Sequence, residues 1–236
     1  MKTCAILQPF YIPWKGVFDL IRIADEFVLY DTVRYVEHSW INRNKIKANN
    51  GLQWLQIPVM TKGKYDQTIK DAKIAGYKWL KTHPQSIRGS YAKSPYFKEY
   101  WDMFESLYCE LADEKYIANV NRRFIEMICG LLGITTRISY SSELEFGDGK
   151  TERLVEICQK LGCNRYISGP AAKDYIIEEV FENVGVELQY MDYSGYPKYP
   201  QRFGEFEHGV TVLDLLFNTG KDAPYYIWGW RQRELT

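Results

Sequence analysis

The chain has 236 residues, with 30 Lys and Arg, 30 Asp and Glu and 3 His, so its formal charge is zero. Its 46% hydrophobic and 25% charged residues are those of an ordinary globular protein, long enough to bury a core without disulfides or metals. That excludes disordered, collagen-like and low-complexity architectures, and the neutral balance argues against non-specific nucleic-acid binding, which needs Lys and Arg to neutralise phosphates.

The N-terminal apolar stretch Cys4–Leu7 is broken by Gln8, Pro9 and Pro13, too soon for a signal peptide. No run approaches the roughly 18 apolar residues of a membrane-spanning helix. Cys4, Cys109, Cys129, Cys158 and Cys163 are odd in number and form no CxxC, and His38, His83 and His208 lack metal-ligand spacing. The expectation is a cytoplasmic protein with reduced thiols, no metal site and no membrane insertion.

In chain order, Cys4–Gln8 reads as a buried strand and Pro9–Gly16 as an irregular loop. Val17, Leu20, Ile21 and Ala24 mark a helical face, and Phe27–Tyr30 a second strand. This is a βαβ unit of a parallel sheet. Asn50-Gly51 predicts a hairpin between Lys45–Lys47 and Leu52–Val59, and Gln67–Ala75 suits a further strand. Residues 77–132 read as a helical insertion, divided into about three helices at Pro84 and Ser94-Pro95, with Ser94 as an N-cap and Gly133 as the final C-cap. Ile134–Tyr140 returns to strand. Thr151 caps a helix through Leu161 that ends at Gly162, Arg165–Ile167 is a strand, Ala171–Asn183 a helix and Val186–Met191 a strand. Asp192–Phe206 is a loop and Thr211–Asn218 a strongly apolar helix. The pattern predicts a single α/β domain over 1–236. Its architecture is a Rossmann-like three-layer sandwich with a mainly parallel sheet, a β-hairpin and the helical insertion.

Ligands of open α/β sheets bind beyond the carboxyl ends of the strands. That rule selects Gln8–Gly16, Asp31–Asn44, Ser168–Tyr175 and Asp192–His208, which hold most of the conspicuous polar and aromatic residues outside the helices. In the first, Lys15 beside a helix start suits an anion, or the loop is simply a tight connection with Trp14 in the core. Trp14-Lys15-Gly16-Val17 stands where nucleotidyltransferase folds carry HxGH, with both histidines replaced. In the second, Arg43 suits a carboxylate or phosphate while Asn42 and Asn44 suit hydroxyls. In the third, Ser168 and Lys173 flank a helix start. In the fourth, His208 has the chemistry of a general base, and any pairing with Asp214 is tertiary.

Taken together, Gln8-Pro9-x-Tyr11-x-Pro13-Trp14-x-Gly16, Phe27-Val28-x-Tyr30-Asp31, Trp40-x-Asn42-Arg43-Asn44, Thr151-Glu-Arg-Leu, Tyr166-Ile-Ser168-Gly169-Pro170, Tyr196-Pro197-x-Tyr199-x-Gln201 and His208-Gly209-Val-x-x-Leu-Asp214 resemble the WbqC-like family over nearly the whole chain. Arg34 stands where that family leads one to expect Gln. The resemblance implies a role in O-antigen or other surface-polysaccharide synthesis, with glycine transfer to a sugar carboxylate as the proposed activity of some members. The leading reading is a sugar-modifying transferase or ligase that forms an amide between a glycine-like amino acid or acyl group and a nucleotide-linked sugar. ATP with Mg²⁺ is one source of activation, and an already activated donor is the other.

In that reading His208, Asp214 and Lys15 are catalytic. Gln8, Tyr11, Trp14, Asp31, Asn42, Arg43, Asn44, Ser168, Lys173, Tyr199 and Gln201 bind substrate. The alternatives are a nucleotidyltransferase acting on a sugar phosphate and a non-catalytic nucleotide-sugar-binding module.

Overall fold

The computed structural model describes residues 1–233. β1 (Thr3–Leu7), α1 (Lys15–Ile23) and β2 (Glu26–Leu29) form the first βαβ unit. A hairpin of β3 (Arg43–Ala48) and β4 (Gly51–Gln56) follows, then α2 (Trp79–Tyr91), α3 (Phe97–Glu110) and α4 (Ile117–Leu131). The chain returns to the sheet through β5 (Arg137–Tyr140), α5 (Thr151–Lys160), β6 (Arg165–Ser168), α6 (Glu178–Glu182) and β7 (Glu187–Tyr190), and ends in α7 (Val212–Thr219) and α8 (Trp230–Arg233).

The predicted α/β architecture is present. Five parallel strands run in the order β5-β2-β1-β6-β7, beside the separate antiparallel hairpin. Period-two alternation sends successive strand residues to opposite faces. Ala5, Phe27 and Leu29 join α1 and the buried faces of α2, α3, α4 and α7 in one core. Cys4, Ile6 and Val28 join Leu154, Ile157 and Phe181 of α5 and α6 in the other. Helices thus cover both sheet faces. The stretch 77–132 shares the core of α1 instead of forming one of its own. Among the described residues no helix is long and apolar enough to cross a membrane.

Several local expectations change. Pro84 lies inside α2 and does not divide it. Trp79, His83, Ile87 and Tyr91 recur every fourth residue and are all buried, so packing of that stripe outweighs the roughly 3 kcal/mol cost of an interior proline. The expected break at Ser94-Pro95 is present, between α2 and α3, and the other break falls between α3 and α4. Ser94 caps nothing: its hydroxyl is buried without a partner, and Tyr96 stands at the N-cap of α3. Thr151 is the first residue of α5, not its cap, and its hydroxyl accepts the Ile177 N–H at 3.1 Å. Ala171–Asn183 is not one helix but a 3-10 turn over Pro170–Asp174 followed by α6. β4 stops before Pro58, which has no N–H to offer a ladder. Gln67–Ala75 makes isolated bridges, Arg34 with Thr68 and Val59 with Ile74, but no strand.

Gly133 and Gly162 do end α4 and α5. Each has a positive φ, 69° and 65°, and the next residue's N–H bonds back to Cys129 or Cys158. That is the Schellman closure, which glycine accommodates without strain.

Candidate functional site

The strand order reverses direction between β1 and β6, where doubly wound sheets open a crevice at their carboxyl ends. A cavity of about 580 Å³ lies there. Gln8 and Phe10 line it from the loop after β1, Tyr30 and Val33 from the segment after β2, and Lys150 and Arg153 from the start of α5. Gln8 makes no side-chain hydrogen bond among the described residues, so its amide is available. Arg153 holds its fork with Nη2 on Asp148 at 2.7 Å and Nε on the Gly147 carbonyl at 3.1 Å. The Asp148 carboxylate beside it raises its pKa further above the usual arginine range. Two cations beside a helix start suit an anionic group.

Phe10 also lines a second cavity, of about 350 Å³, with Pro13, Trp14, Trp40, Asn44, His208 and Gly209. The two cavities therefore adjoin across one ring. Trp14 is set by its neighbours: Tyr193 and Tyr196 meet it edge-on at 5.1 and 6.0 Å. A Cβ on Gly16 would stand 2.3 Å from the Trp14 ring, so only glycine permits this approach. In the loop after β1, next to the cavity-lining Pro13, buried Ile12 holds a strained φ of 40°. Asn44 Nδ2 donates to the carbonyls of Tyr11 and Ile12 at 3.2 and 2.9 Å and pins that turn.

His208 is half-buried, packed edge-on to Phe206 at 4.5 Å, and its Nδ1 is buried without a hydrogen-bond partner. Burial first, then the Lys15 charge, lowers its pKa below the usual 6.5, which favours the neutral imidazole. Asp214 does not orient it. That carboxylate accepts from Gln201 Nε2 at 2.8 Å and from the Tyr91 hydroxyl at 3.0 Å, and burial raises its pKa. Gln201 also donates to the Glu207 carbonyl and accepts the Glu207 N–H, both at 2.8 Å, while Lys47 Nζ bonds to Gln201 Oε1 at 2.9 Å and to the Glu205 carbonyl. The network clamps the residue preceding His208. Gln201 and Asp214 thus position the loop and line neither of these two cavities.

The other expected residues divide in the same way. Trp14, Asn44 and His208 reach the aromatic cavity, and Gln8 reaches the crevice. Lys15 reaches neither. The residue is 2% exposed, and its ammonium donates to the carbonyls of Pro197 at 3.3 Å and Tyr226 at 3.1 Å, over the rings of Tyr196 and Tyr199. Burial lowers its pKa to about 8. Tyr199 packs on Phe206 and Tyr226 within the core. Tyr11 is fully buried, its hydroxyl shared between His83 Nδ1 at 2.9 Å and Tyr108 at 2.7 Å. Asp31 accepts from the Ser141 hydroxyl, the Ser142 N–H and the Ser142 hydroxyl, and Asn42 donates to the Ile57 carbonyl. Arg43 lies on the Trp54 ring, its carbon 4.2 Å from the centroid. Ser168 accepts from Tyr166 at 3.3 Å, and Lys173 lies over Tyr190.

Lys150, Arg153, Phe10 and Trp40 escaped the sequence reading as site residues. Applying the strand-end rule to Ile134–Tyr140 as well would have found Lys150 and Arg153. Among the described residues no group of three or more His, Cys, Asp or Glu is placed to hold a metal ion.

The family model described as "WbqC-like protein family" matches residues 8–226. A mycobacterial protein, "Uncharacterized protein Rv1507c" of Mycobacterium tuberculosis (strain ATCC 25618 / H37Rv), is 43% identical over 227 residues, which cover 96% of this chain and 98% of the relative. No solved structure matches the chain.

Proposed function

The chain belongs to the WbqC-like protein family, and from that membership and the two adjoining cavities we propose a transferase or ligase of surface-polysaccharide biosynthesis. It joins an amino acid or acyl group to a nucleotide-linked sugar through an amide. The observation that carries this reading is the adjacency, across Phe10, of a cationic crevice at the strand reversal and an aromatic cavity holding a neutral histidine. The nucleotide phosphates meet Lys150, Arg153 and the first turn of α5, and Gln8 reads a hydroxyl. The second reactant enters the aromatic cavity. As the C–N bond forms, the activated carboxyl loses its leaving group and His208 takes the amine proton. Lys15 acts as a positioning residue, holding the 192–209 loop to the 220–226 segment. Activation comes from ATP with Mg²⁺ or from an already activated donor. A magnesium ion carried on nucleotide phosphates needs only one or two protein carboxylates.

One observation favours a second reading, a non-catalytic nucleotide-sugar-binding module. Asp214, the carboxylate expected to orient His208, is committed to Gln201 and Tyr91. Thermal stabilisation against nucleotide sugars (uronic acids included), ATP and glycine, alone and in pairs, separates the two when followed by mass analysis of the mixtures. A ligand at 100 times its dissociation constant adds about 2.7 kcal/mol. Stabilisation by a nucleotide sugar with an amide product supports the transferase. Stabilisation without product in any pair leaves the binding module, and no response to any nucleotide sugar overturns both.

A further inference from the structure

We infer that the aromatic cavity selects a bulky apolar side group, so that the amino acid or acyl unit this site prefers is an apolar carboxylic or α-amino acid and not glycine. The inference rests on the transferase reading and names the substrate class of its second reactant.

The walls are Phe10, Pro13, Trp14 and Trp40, with Gly209 and His208 completing the lining around Asn44. The Asn44 amide is spent, with Nδ2 on two loop carbonyls and Oδ1 on the Lys45 N–H at 2.8 Å. Beyond the indole N–H groups, the His208 imidazole is therefore the polar side-chain group left to face a ligand. A hydroxylated ring or a nucleobase buried here would leave most of its polar atoms against carbon, which is unfavourable. Glycine has no side chain to fill the roughly 350 Å³. A branched aliphatic or aromatic side group fills it and meets the rings with dispersion contacts. The cavity is preformed, because Trp14 is seated on Gly16 and held by Tyr193 and Tyr196. A cation stands near the Trp40 wall: Lys45 Nζ lies 5.9 Å from the centroid of Trp40, itself 43% exposed, and 5.1 Å from that of Trp54, and Lys45 makes no ion pair among the described residues. A carboxylate placed at that edge, with its apolar group inward, satisfies both features.

The test is calorimetric titration of the full chain with glycine, alanine, leucine and phenylalanine, and with acetate and hexanoate, in the presence of a stabilising nucleotide sugar. Affinity should rise about fourfold for each buried methylene, so leucine should bind roughly two orders of magnitude more tightly than glycine. Trp14→Ala and Trp40→Ala should flatten the series. Trp40 is partly exposed, so the fold tolerates its loss even if Trp14→Ala does not fold. Glycine binding as tightly as leucine and phenylalanine, or a series unchanged by Trp40→Ala, overturns the inference. If the nucleotide sugar still binds in those cases, the transferase reading survives. Failure of both ligand classes removes the two together.

Discussion

The carboxylate of Asp19, completely buried in α1, binds Arg231 Nη1 of α8 at 2.7 Å, joining the first helix to the far end of the described chain. The same oxygen accepts the Tyr196 hydroxyl at 2.6 Å, and the Arg231 guanidinium lies over the Tyr196 ring. Tyr196 in turn stands edge-on to Trp14, so a wall of the aromatic cavity depends on this ion pair. The other Asp19 oxygen has no partner. Removing Arg231 leaves a buried charge with one hydrogen bond. Arg231→Ala should cost about 2 kcal/mol, below the value for a fully buried pair because the guanidinium is partly exposed. Arg231→Lys should restore part of it. An unchanged urea midpoint for Arg231→Ala would show that the pair is energetically idle.

His83 should make the fold acid-sensitive before the carboxylates titrate. Its Nδ1 accepts from Tyr11, its Nε2 donates to the Gln56 carbonyl at 3.1 Å, and Trp79 and Tyr108 pack around this chain of bonds. Burial lowers its pKa to about 4, against 6.5 in the unfolded chain. A depressed folded-state pKa means that stability is full above 6.5 and is lost as pH falls toward 4. The loss by pH 4 is about 3 kcal/mol. Denaturation curves between pH 7 and 4 measure it. His83→Gln should be less stable at pH 7 but lose less on acidification; parallel curves for the two proteins would refute the assignment.

If His208 takes the amine proton, turnover should fall as pH drops through a pKa below the ordinary 6.5, since only neutral imidazole accepts a proton. His208→Gln should reduce turnover by about a hundredfold or more. Nucleotide-sugar affinity should change little, because that ligand sits in the other cavity. A variant that keeps both turnover and the acid limb would remove His208 from the chemistry.

Lys15→Met offers a sharper contrast. The sequence suggests a phosphate-binding lysine, whereas the structure cages its ammonium between two carbonyls and two rings. The substitution should lower the melting temperature while leaving nucleotide-sugar affinity within about twofold, and Lys150→Ala should weaken that affinity about tenfold. The opposite assignment of the two effects would return Lys15 to the phosphates.

The parallel sheet was legible because β1 and β2 are short apolar runs closed by Pro9 and Asp31, and because Val17, Leu20 and Ile21 between them keep helical spacing. The hairpin was legible from Asn50-Gly51. The break between α2 and α3 was legible from Ser94-Pro95, but the continuity of α2 through Pro84 was not, since a buried stripe whose partners lie elsewhere in the chain retains that proline. The strand-end rule found the loops that build both cavities, but it was not carried to the strand before α5, and so missed Lys150 and Arg153.

Local pattern determined by itself most of the sheet strands, the hairpin and the loops that gather polar and aromatic residues. Tertiary structure alone decided which of those residues are free. Gln8 lines the crevice with a free amide and His208 lines the aromatic cavity, while Asn44, Gln201 and Asp214 are committed to partners from other elements. Lys15 is closed in by residues nearly two hundred positions away. The reason is physical: residue type sets what a side chain can donate or accept, but whether that capacity is left for a ligand depends on contacts between segments remote in sequence.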